Sequence, residues 1–255
     1  MTYLGTTEFY LEVSKGNVAG HSVVRKFGRN DDVDTASEED VWAGGGSRAY
    51  LSSAETMDVV STSTNDDGSP AGTGARTIRV EGLDSSYAEV SEDITLDGTT
   101  SVTTTQTFLR ISRAYVLTAG SVETNDGQIS VDPTTSGSGS RQAFIDSGDG
   151  QTLISHFTIP ASKTGYIVST NGGVAAGSGA GAKEARLRMF IRELNGAWRL
   201  QKELDLNNAG TSSSPNFSFP IPASCPEKTD MKWTAVVDAN NTSVYVQYAI
   251  LLVDD

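Results

Sequence analysis

The chain contains one dense group of carboxylates, in the stretch GRNDDVDTASEEDVWAGGG (residues 28–46). Its acids between positions 31 and 40 are Asp31, Asp32, Asp34, Glu38, Glu39 and Asp40. Carboxylates at this density can ligate calcium, but an EF-hand loop requires glycine at its sixth position. Counted from Asn30, the sixth residue is Thr35, and counted from Asp32 it is Ser37. An EF-hand is therefore excluded, and Asp31, Asp32 and Asp34 remain candidate ligands for a calcium site of another kind.

A second interpretation of residues 28–46 is a docking element. Thr35-Ala-Ser-Glu38 fits a capping box, in which the Thr and Glu side chains satisfy free N–H groups at the start of a helix. One helical turn would follow, with Trp42 as an apolar anchor pressed onto the body of the protein or onto a neighbour. We therefore expect an acidic, capped turn at an interface, with Glu38 and Trp42 as contact residues.

A group of arginines stands out in this acidic chain. In KEARLRMFIREL (183–194), apolar and charged residues alternate strictly, which predicts a strand rather than a helix. The arginines on its polar face are Arg186, Arg188 and Arg192. They either contact acids of a neighbouring subunit or of the N-terminal segment, or they form an ordinary solvated sheet face. The sequence leaves both alternatives open.

Catalytic side chains are few. His21 and His156 each stand alone, and His156 alternates within a strand, where we expect a surface or edge position. No serine lies in the strand–turn–helix elbow that a G-x-S-x-G nucleophile needs. We expect the single cysteine, Cys225, to be a small buried apolar residue rather than a reactive thiol. These observations predict a protein without catalytic residues and without a cofactor.

The composition excludes several classes of partner. The chain has 255 residues and a formal net charge of -13, which disfavours binding to nucleic acid or to an anionic membrane. The stretch MTYLGTTEFYLEV has neither the charged region nor the apolar core of a signal peptide. No apolar run reaches the ~18 residues that a membrane span needs. We expect a soluble protein that is made in a cytoplasm.

The pattern along the chain is β. Alternating runs separated by Gly, Asn and Asp turns predict an all-β fold, an antiparallel β-sandwich of the jelly-roll type. Residues 1–48 are expected to be an extended N-terminal arm with one short strand, TEFYLEV. Residues 49–255 are expected to form the sandwich domain, with a possible subdivision near residues 171–182.

Two turn pairs predict hairpins. Asp97-Gly98 lies between β-rich runs, and Asn195-Gly196 follows the arginine-rich strand. The final run, residues 244–253, is apolar on both faces and is expected to be central in a sheet. Trp198 and Trp233 lie in alternating runs, where core packing is favoured over ligand contact.

Residues 75–121 carry a resemblance to a known type of protein. ARTIRVEGLDSSYAEVSEDITLDGTTSVTTTQTFLRISRAYVLTAGS combines a Gly-Leu-Asp turn, a Glu-x-Ile-x-Leu-x-Gly-Thr hairpin and Phe108-x-Arg110-Ile111. In these features it resembles a recurrent type of tailed-bacteriophage virion protein. The segments KFGRNDDVDT, EDVWAGGG and GQTLISHFTIPASKTGYIV fit the same pattern, so the resemblance covers roughly residues 18–170. Residues 171–255 fall outside it.

The resemblance implies a non-enzymatic structural component of a phage particle, assembled in the host cytoplasm. We expect a homo-oligomer, with a trimer as the first guess, that contacts other virion proteins. A capsid-decorating or head-fibre-like subunit that docks through its N-terminal arm is the first interpretation. A neck or tail component, such as a connector-attached ring or a fibre anchor, is the alternative. A third is a carbohydrate-binding adhesin that uses Trp198 and Trp233.

Overall fold

The computed structural model describes residues 6–175, 184–207 and 216–255. It is mostly β, with 55% strand and one short helix, and four small antiparallel sheets form a ring like a four-bladed propeller. The predicted all-β class is thus confirmed. Within the described residues, no helix is long and apolar enough to span a membrane.

The described residues form one helix, one 3-10 turn and a series of strands. In chain order they are α1 (Thr6–Ser14), β1 (His21–Val33), β2 (Glu39–Asp40), β3 (Met57–Ser61), β4 (Ala75–Leu83), β5 (Glu89–Thr95), β6 (Val102–Thr103), β7 (Arg110–Ala119), β8 (Ile129–Pro133), a 3-10 turn (Ser138–Ser140), β9 (Ala143–Ile145), β10 (Phe157–Thr158), β11 (Lys163–Ala175), β12 (Glu184–Arg192), β13 (Arg199–Asn207), β14 (Asn216–Cys225), β15 (Asp230–Val237) and β16 (Thr242–Asp254). The first sheet has the order β1-β16-β11-β14 and the second the order β10-β15-β12-β13, with β2 paired to β15. The third has the order β6-β3-β8-β9 and the fourth β5-β4-β7.

Two hydrophobic cores lie between these sheets. Core A, which includes Ile167, Leu187 and Trp233, is shared by the first and second sheets. Core B, which includes Ile78 and Phe108, is shared by the third and fourth. The predicted single jelly-roll sandwich is therefore wrong. Alternation marks which face of a strand is buried, but it carries no information on which other strand covers that face.

Several strand predictions are confirmed. The arginine-rich run is β12, and it pairs with β13 across a turn in which Asn195 has φ 60°. That left-handed conformation suits asparagine in a tight hairpin. The final run is β16, which is central in the first sheet because it pairs with β1 on one side and β11 on the other. Of the proposed subdivision at 171–182, residues 171–175 belong to β11, and the remainder lies outside the described residues.

The Asp97-Gly98 turn forms, but the hairpin prediction is wrong. Gly98 has φ 56°, and the amide of Thr100 donates to the carbonyl of Asp97. The flanking strands then diverge, because β5 pairs with β4 and β6 pairs with β3. A tight turn sets the local chain reversal, and the partners of the strands are decided by burial on two different sheets.

The N-terminal segment differs from the predicted arm. TEFYLEV is part of helix α1, in which Val13 is buried, and Lys15 just after the helix pairs with Glu12 at 2.8 Å. Such an i,i+3 ion pair supports a helix and is not available to a strand. Residues 21–33 are not extended away from the body. They form β1 and pair with β16 from His21 opposite Val253 to Val33 opposite Thr242.

Candidate functional site

The acidic segment folds onto its own chain. The predicted capped helical turn is absent: residues 35–37 form a turn, and β2 follows, pairing with Thr234 and Ala235 of β15. Trp42 bridges to Ile154 and is 4% exposed, and its Nε1 donates to the carbonyl of Gly45 at 2.8 Å. The anchor role predicted for Trp42 is thus served within the chain, because the tryptophan packs on the body of the protein.

Asp40 is a buried acceptor for three donors. Its carboxylate accepts from His156 Nε2 at 3.1 Å, from Lys232 Nζ at 2.8 Å and from the backbone N–H of Arg48 at 2.7 Å. Burial opposes ionisation, yet the bonds from His156 and Lys232 prevail and lower the pKa of Asp40 to about 2. The carboxylate is therefore ionised and saturated at neutral pH.

His156 is buried, so the expected surface or edge position is wrong. It is 1% exposed because residues 152–160 pass between the two cores and are covered on both faces. Burial lowers the pKa of His156 to about 4, which leaves a neutral ring that donates from Nε2 to Asp40. Its Nδ1 has no partner within the described residues. The rings of Tyr50 and Trp42 lie at 5.8 and 6.5 Å between centroids.

Asp230 is the second buried carboxylate and connects the two cores. Arg110, on β7 of core B, donates to it from Nε at 2.9 Å and from Nη2 at 3.2 Å. Arg192 Nη2 donates at 2.6 Å and Thr158 Oγ1 at 2.7 Å. Asp230 lies on β15 of core A, so this charge network spans the junction. Bidentate arginine pairing fixes the geometry of such a contact as well as its strength.

A stack of aromatic rings and cations continues from these carboxylates toward the surface. The rings of Tyr50 and Trp198 lie 5.2 Å apart, and Arg192 Cζ is 4.7 and 4.6 Å from their centroids. Lys232 Nζ lies 5.3 Å from the ring of Trp198. We call the whole group the junction cluster, consisting of Asp40, Tyr50, Arg110, His156, Arg192, Trp198, Asp230 and Lys232.

The two tryptophans expected in the core have different positions. Trp233 is fully buried in core A, as predicted. Trp198 is only half-buried and belongs to the junction cluster, so the core assignment is wrong for this residue. It precedes β13 and therefore does not share the alternation of that strand.

The predicted interface residues make contacts within the chain. Arg188 Nη1 donates to Glu38 Oε2 at 2.9 Å, and Thr234 also donates to Glu38. Arg186, whose side chain is 55% exposed, pairs with Asp205 at 2.8 Å on the neighbouring strand. Arg192 is held by Asp230. Arg188 thus meets an acid of the N-terminal segment, which was one of the alternatives. Contact of these arginines with another subunit stays a prediction.

The calcium candidates do not converge on one point. Asp31 pairs with Arg29 at 2.8 Å and accepts from Ser243 Oγ at 2.7 Å. Asp34 accepts from the backbone N–H of Asn241 at 3.2 Å. Within the described residues, no group of three or more His, Cys, Asp or Glu side chains is placed to hold a metal ion.

The charged groups of the junction cluster are bonded mainly to one another. The carboxylates of Asp40 and Asp230 each accept several hydrogen bonds, and the neutral His156 bonds to Asp40 rather than to a hydroxyl or thiol. Burial raises the pKa of Cys225 to about 11, so its thiol stays protonated, as expected for a small buried residue. Sequence reasoning missed the junction cluster because its members are far apart in the chain. One local signal existed: Arg110 interrupts the apolar run from Phe108 to Ile111.

Comparisons with known proteins give weak similarities in fold. No protein-family model and no curated protein matches the chain. A structure of infectious bursal disease virus Gt strain has a TM-score of 0.22 at 12% identity, over 92% of this chain and 72% of that one. The Gx strain gives 0.23 at 11%, over 91% and 72%, and the crystal structure of the VP2 subviral particle of this virus gives 0.22 at 10%, over 91% and 72%. Similarity at this level assigns no fold family, no residue and no activity to this chain.

Proposed function

We propose that this chain is a non-enzymatic structural subunit of a bacteriophage particle, a capsid-decorating or head-fibre-like protein that acts as a homo-oligomer. The observation that carries the proposal is the junction cluster. Its charged groups, which would otherwise be the candidates for chemistry, are buried and bonded to one another between two cores. Such a network favours one rigid arrangement of the sheets, and a particle subunit needs a fixed shape.

The sequence resemblance supports the same conclusion from a different direction. Residues 75–121 contain β4, β5 and β7, which together are the whole fourth sheet. Within its Phe-x-Arg-Ile pattern, Phe108 is fully buried in core B and Arg110 bonds to Asp230. The residues that carry the resemblance are therefore residues that hold this architecture together.

Docking on the particle is assigned to helix α1 rather than to the acidic segment. Glu38 and Trp42 are already engaged within the chain. In α1, Val13 is buried against the body, whereas Leu11 is 52% exposed. The exposed side chain of Leu11 is suited to burial against another protein.

The proposal is tested by oligomeric state and by incorporation into particles. Light scattering after size exclusion should give a closed oligomer, and mass spectrometry of purified particles should detect the chain. Leu11→Glu should reduce incorporation while the protein remains folded, and Leu117→Glu, at another exposed leucine, should not. A monomer that is absent from particles would refute the proposal. The location of the protein in the particle distinguishes the two interpretations. A position across the shell indicates a decorating subunit, and a position in a single ring indicates the neck or tail alternative.

One observation favours a second candidate, a carbohydrate-binding module for host attachment. Trp198 is half-buried beside Tyr50, and aromatic faces that remain accessible can stack on sugar rings. A glycan array with the intact protein tests this candidate. Binding that is lost in Trp198→Ala but kept in Phe144→Ala would favour it, because Phe144 contacts Arg141 in a separate aromatic–cation pair. An array without any binding would exclude it.

A further inference from the structure

A cavity of about 490 Å³ lies between β1 and core B. Its walls come from β1, β4, β5, β7 and β10. The basic side chains on these walls are Arg25, Lys26, Arg48, Arg110 and Arg113, and the acidic ones are Glu81 and Glu89. The wall of the cavity therefore carries more positive than negative side chains, although the whole chain has a net charge of -13.

Lys26 is one of three buried cations on the wall of this cavity, with Arg48 and Arg110. It is 8% exposed, and its Nζ donates to the backbone carbonyl of Ser112. An ammonium group carries three donors, so this bond satisfies only part of its capacity. Across the described residues, no carboxylate lies within ion-pair distance of Lys26. A buried ammonium without an anionic partner is rare, because burial removes its hydration.

The surroundings of Lys26 raise the free-energy cost of keeping its ammonium group charged. Burial, and then the positive charges of Arg48 and Arg113, lower the pKa of Lys26 to about 7, and Glu81 opposes this only in part. Arg48 is 5% exposed and bonds to the carbonyl oxygens of Gln142 and Ile111, each at 2.9 Å. An anion placed in the cavity would offset these unbalanced charges.

The acids on the cavity wall do not neutralise these cations. Glu81 accepts from the hydroxyl of Tyr115 at 3.2 Å, and Glu89 is 61% exposed and faces Lys163 at 3.9 Å. Arg113, on the exposed rim, donates to the amide oxygen of Gln151 at 2.9 Å. Arg110 alone among the five cations has a carboxylate partner, Asp230, within the part of the chain that the structure describes.

We propose that this cavity binds a small anionic molecule through phosphate or carboxylate oxygens. Lys26 is the central contact and Arg113 the rim contact. Arg25, Lys26 and Arg113 also line a second cavity of about 1120 Å³, so a ligand larger than phosphate has room to extend. The inference goes beyond the structural role proposed above and does not depend on it.

Calorimetric titration with inorganic phosphate and with succinate, at constant ionic strength in chloride buffer, tests this site. Saturable binding of at least one anion is expected, and the two arms distinguish phosphate from carboxylate recognition. Lys26→Met should weaken that binding roughly tenfold or more, because a charge-assisted hydrogen bond is lost. Lys202→Met makes the same chemical change on β13, away from the cavity, and should leave binding unchanged.

A substitution at the exposed rim of the cavity provides a second test that does not require Lys26→Met to fold. Arg113→Gln keeps a polar side chain at an exposed position and should weaken binding several-fold with an unchanged circular dichroism melt. Should Lys26→Met fail to fold, Arg113→Gln decides the question. Titrations in which neither anion saturates, or in which a folded Lys26→Met or Arg113→Gln binds as tightly as the wild type, overturn the site.

Discussion

At the scale of single residues, Asp230 and Asp40 account for the position of every charged side chain in the junction cluster. Each carboxylate is ionised inside the protein because several donors surround it. Buried ion pairs add little net stability, because the attraction between the charges roughly equals the free-energy cost of removing them from water. Their main effect is to fix the relative positions of the groups that they join. Removing one partner lowers the stability of the fold, because it leaves the other charge buried and incompletely paired.

Arg110→Ala should lower the free energy of unfolding by about 3 kcal/mol, because it leaves Asp230 without its bidentate partner. Urea unfolding followed by tryptophan fluorescence measures this change. Arg79→Ala is the matched control, because Arg79 pairs with Asp93 on the surface, and its unfolding midpoint should stay near that of the wild type. Equal midpoints for the two variants would contradict the role assigned to Arg110.

His156 should make the protein less stable in mild acid. Burial lowers its pKa from 6.5 to about 4, so between these values the unfolded chain binds a proton that the folded chain does not. This contribution to stability is complete above pH 6.5 and is lost as the pH falls toward 4. Urea unfolding across this range should show a shallower decline for His156→Gln than for the wild type. His21→Gln is the matched histidine substitution outside the cores, at a ring that hydrogen-bonds to the carbonyl of Ala19.

Burial of individual residues was predictable only within long strands, where side chains alternate regularly between the two faces. Trp233 and Cys225 lie in strands of core A, and their burial was predicted. His156 and Trp198 were placed wrongly because neither lies within a long strand. His156 precedes the two-residue β10, and Trp198 lies between β12 and β13. Where no long strand fixes the side-chain period, tertiary contacts decide burial.

At the scale of elements, β1 positions the acidic segment through close backbone approach. A Cβ at Gly28 would collide with the carbonyl oxygen of Val41 and lie 2.7 Å from the backbone nitrogen of Ser155. Glycine is therefore required where β1 crosses the segment that carries Asp40 and the residues before His156.

Gly28→Ala should destabilise the protein by about 1–3 kcal/mol, because backbone atoms must move to accept the methyl group. Thermal unfolding by circular dichroism measures the effect. Gly139→Ala is a suitable control, since no atom lies within 4 Å of its added Cβ. A melting temperature for Gly28→Ala as high as that of Gly139→Ala would argue against the close crossing.

The contact between Glu38 and Arg188 should hold the acidic segment on the second sheet. Glu38→Arg and Arg188→Glu should each destabilise the protein, and the double reversal should recover part of the loss. We expect a coupling of about 0.5–1 kcal/mol, because both side chains are partly exposed. Urea unfolding of the four proteins gives this value. A coupling of zero would mean that the pair does not hold the segment.

Several long strands were predictable, but length alone did not decide this, because the 13 residues of β1 were expected to be part of an extended arm. Alternation identified β4, β11 and β12, which bury residues along much of their length, and also β7, whose buried residues are confined to its first half. The pairing of short strands was not predictable, and β5 and β6 separate after a turn that is typical of hairpins. Helix α1 was missed because its alternation fits a strand, whereas its Glu12–Lys15 pair and its packing favour a helix.

At the scale of the whole molecule, four sheets enclose two cores, and Arg110 beside core B bonds to Asp230 beside core A. Sequence patterns predict the β class because it depends on local periodicity. They do not predict two cores, because residues from both ends of the chain build core A, whereas its middle builds core B. The proposed role as a particle subunit rests on this rigid architecture together with the resemblance of residues 75–121.

The central claim is tested most directly by a reconstruction of the phage particle in which we propose that this protein is a subunit. The account predicts density for the two-core fold at symmetry-related positions on the particle, as a closed homo-oligomer with α1 at the contact. Many copies across the shell would identify a decorating subunit, and a single ring would identify the neck or tail alternative. Particles complete in every other component but without this fold would contradict the account.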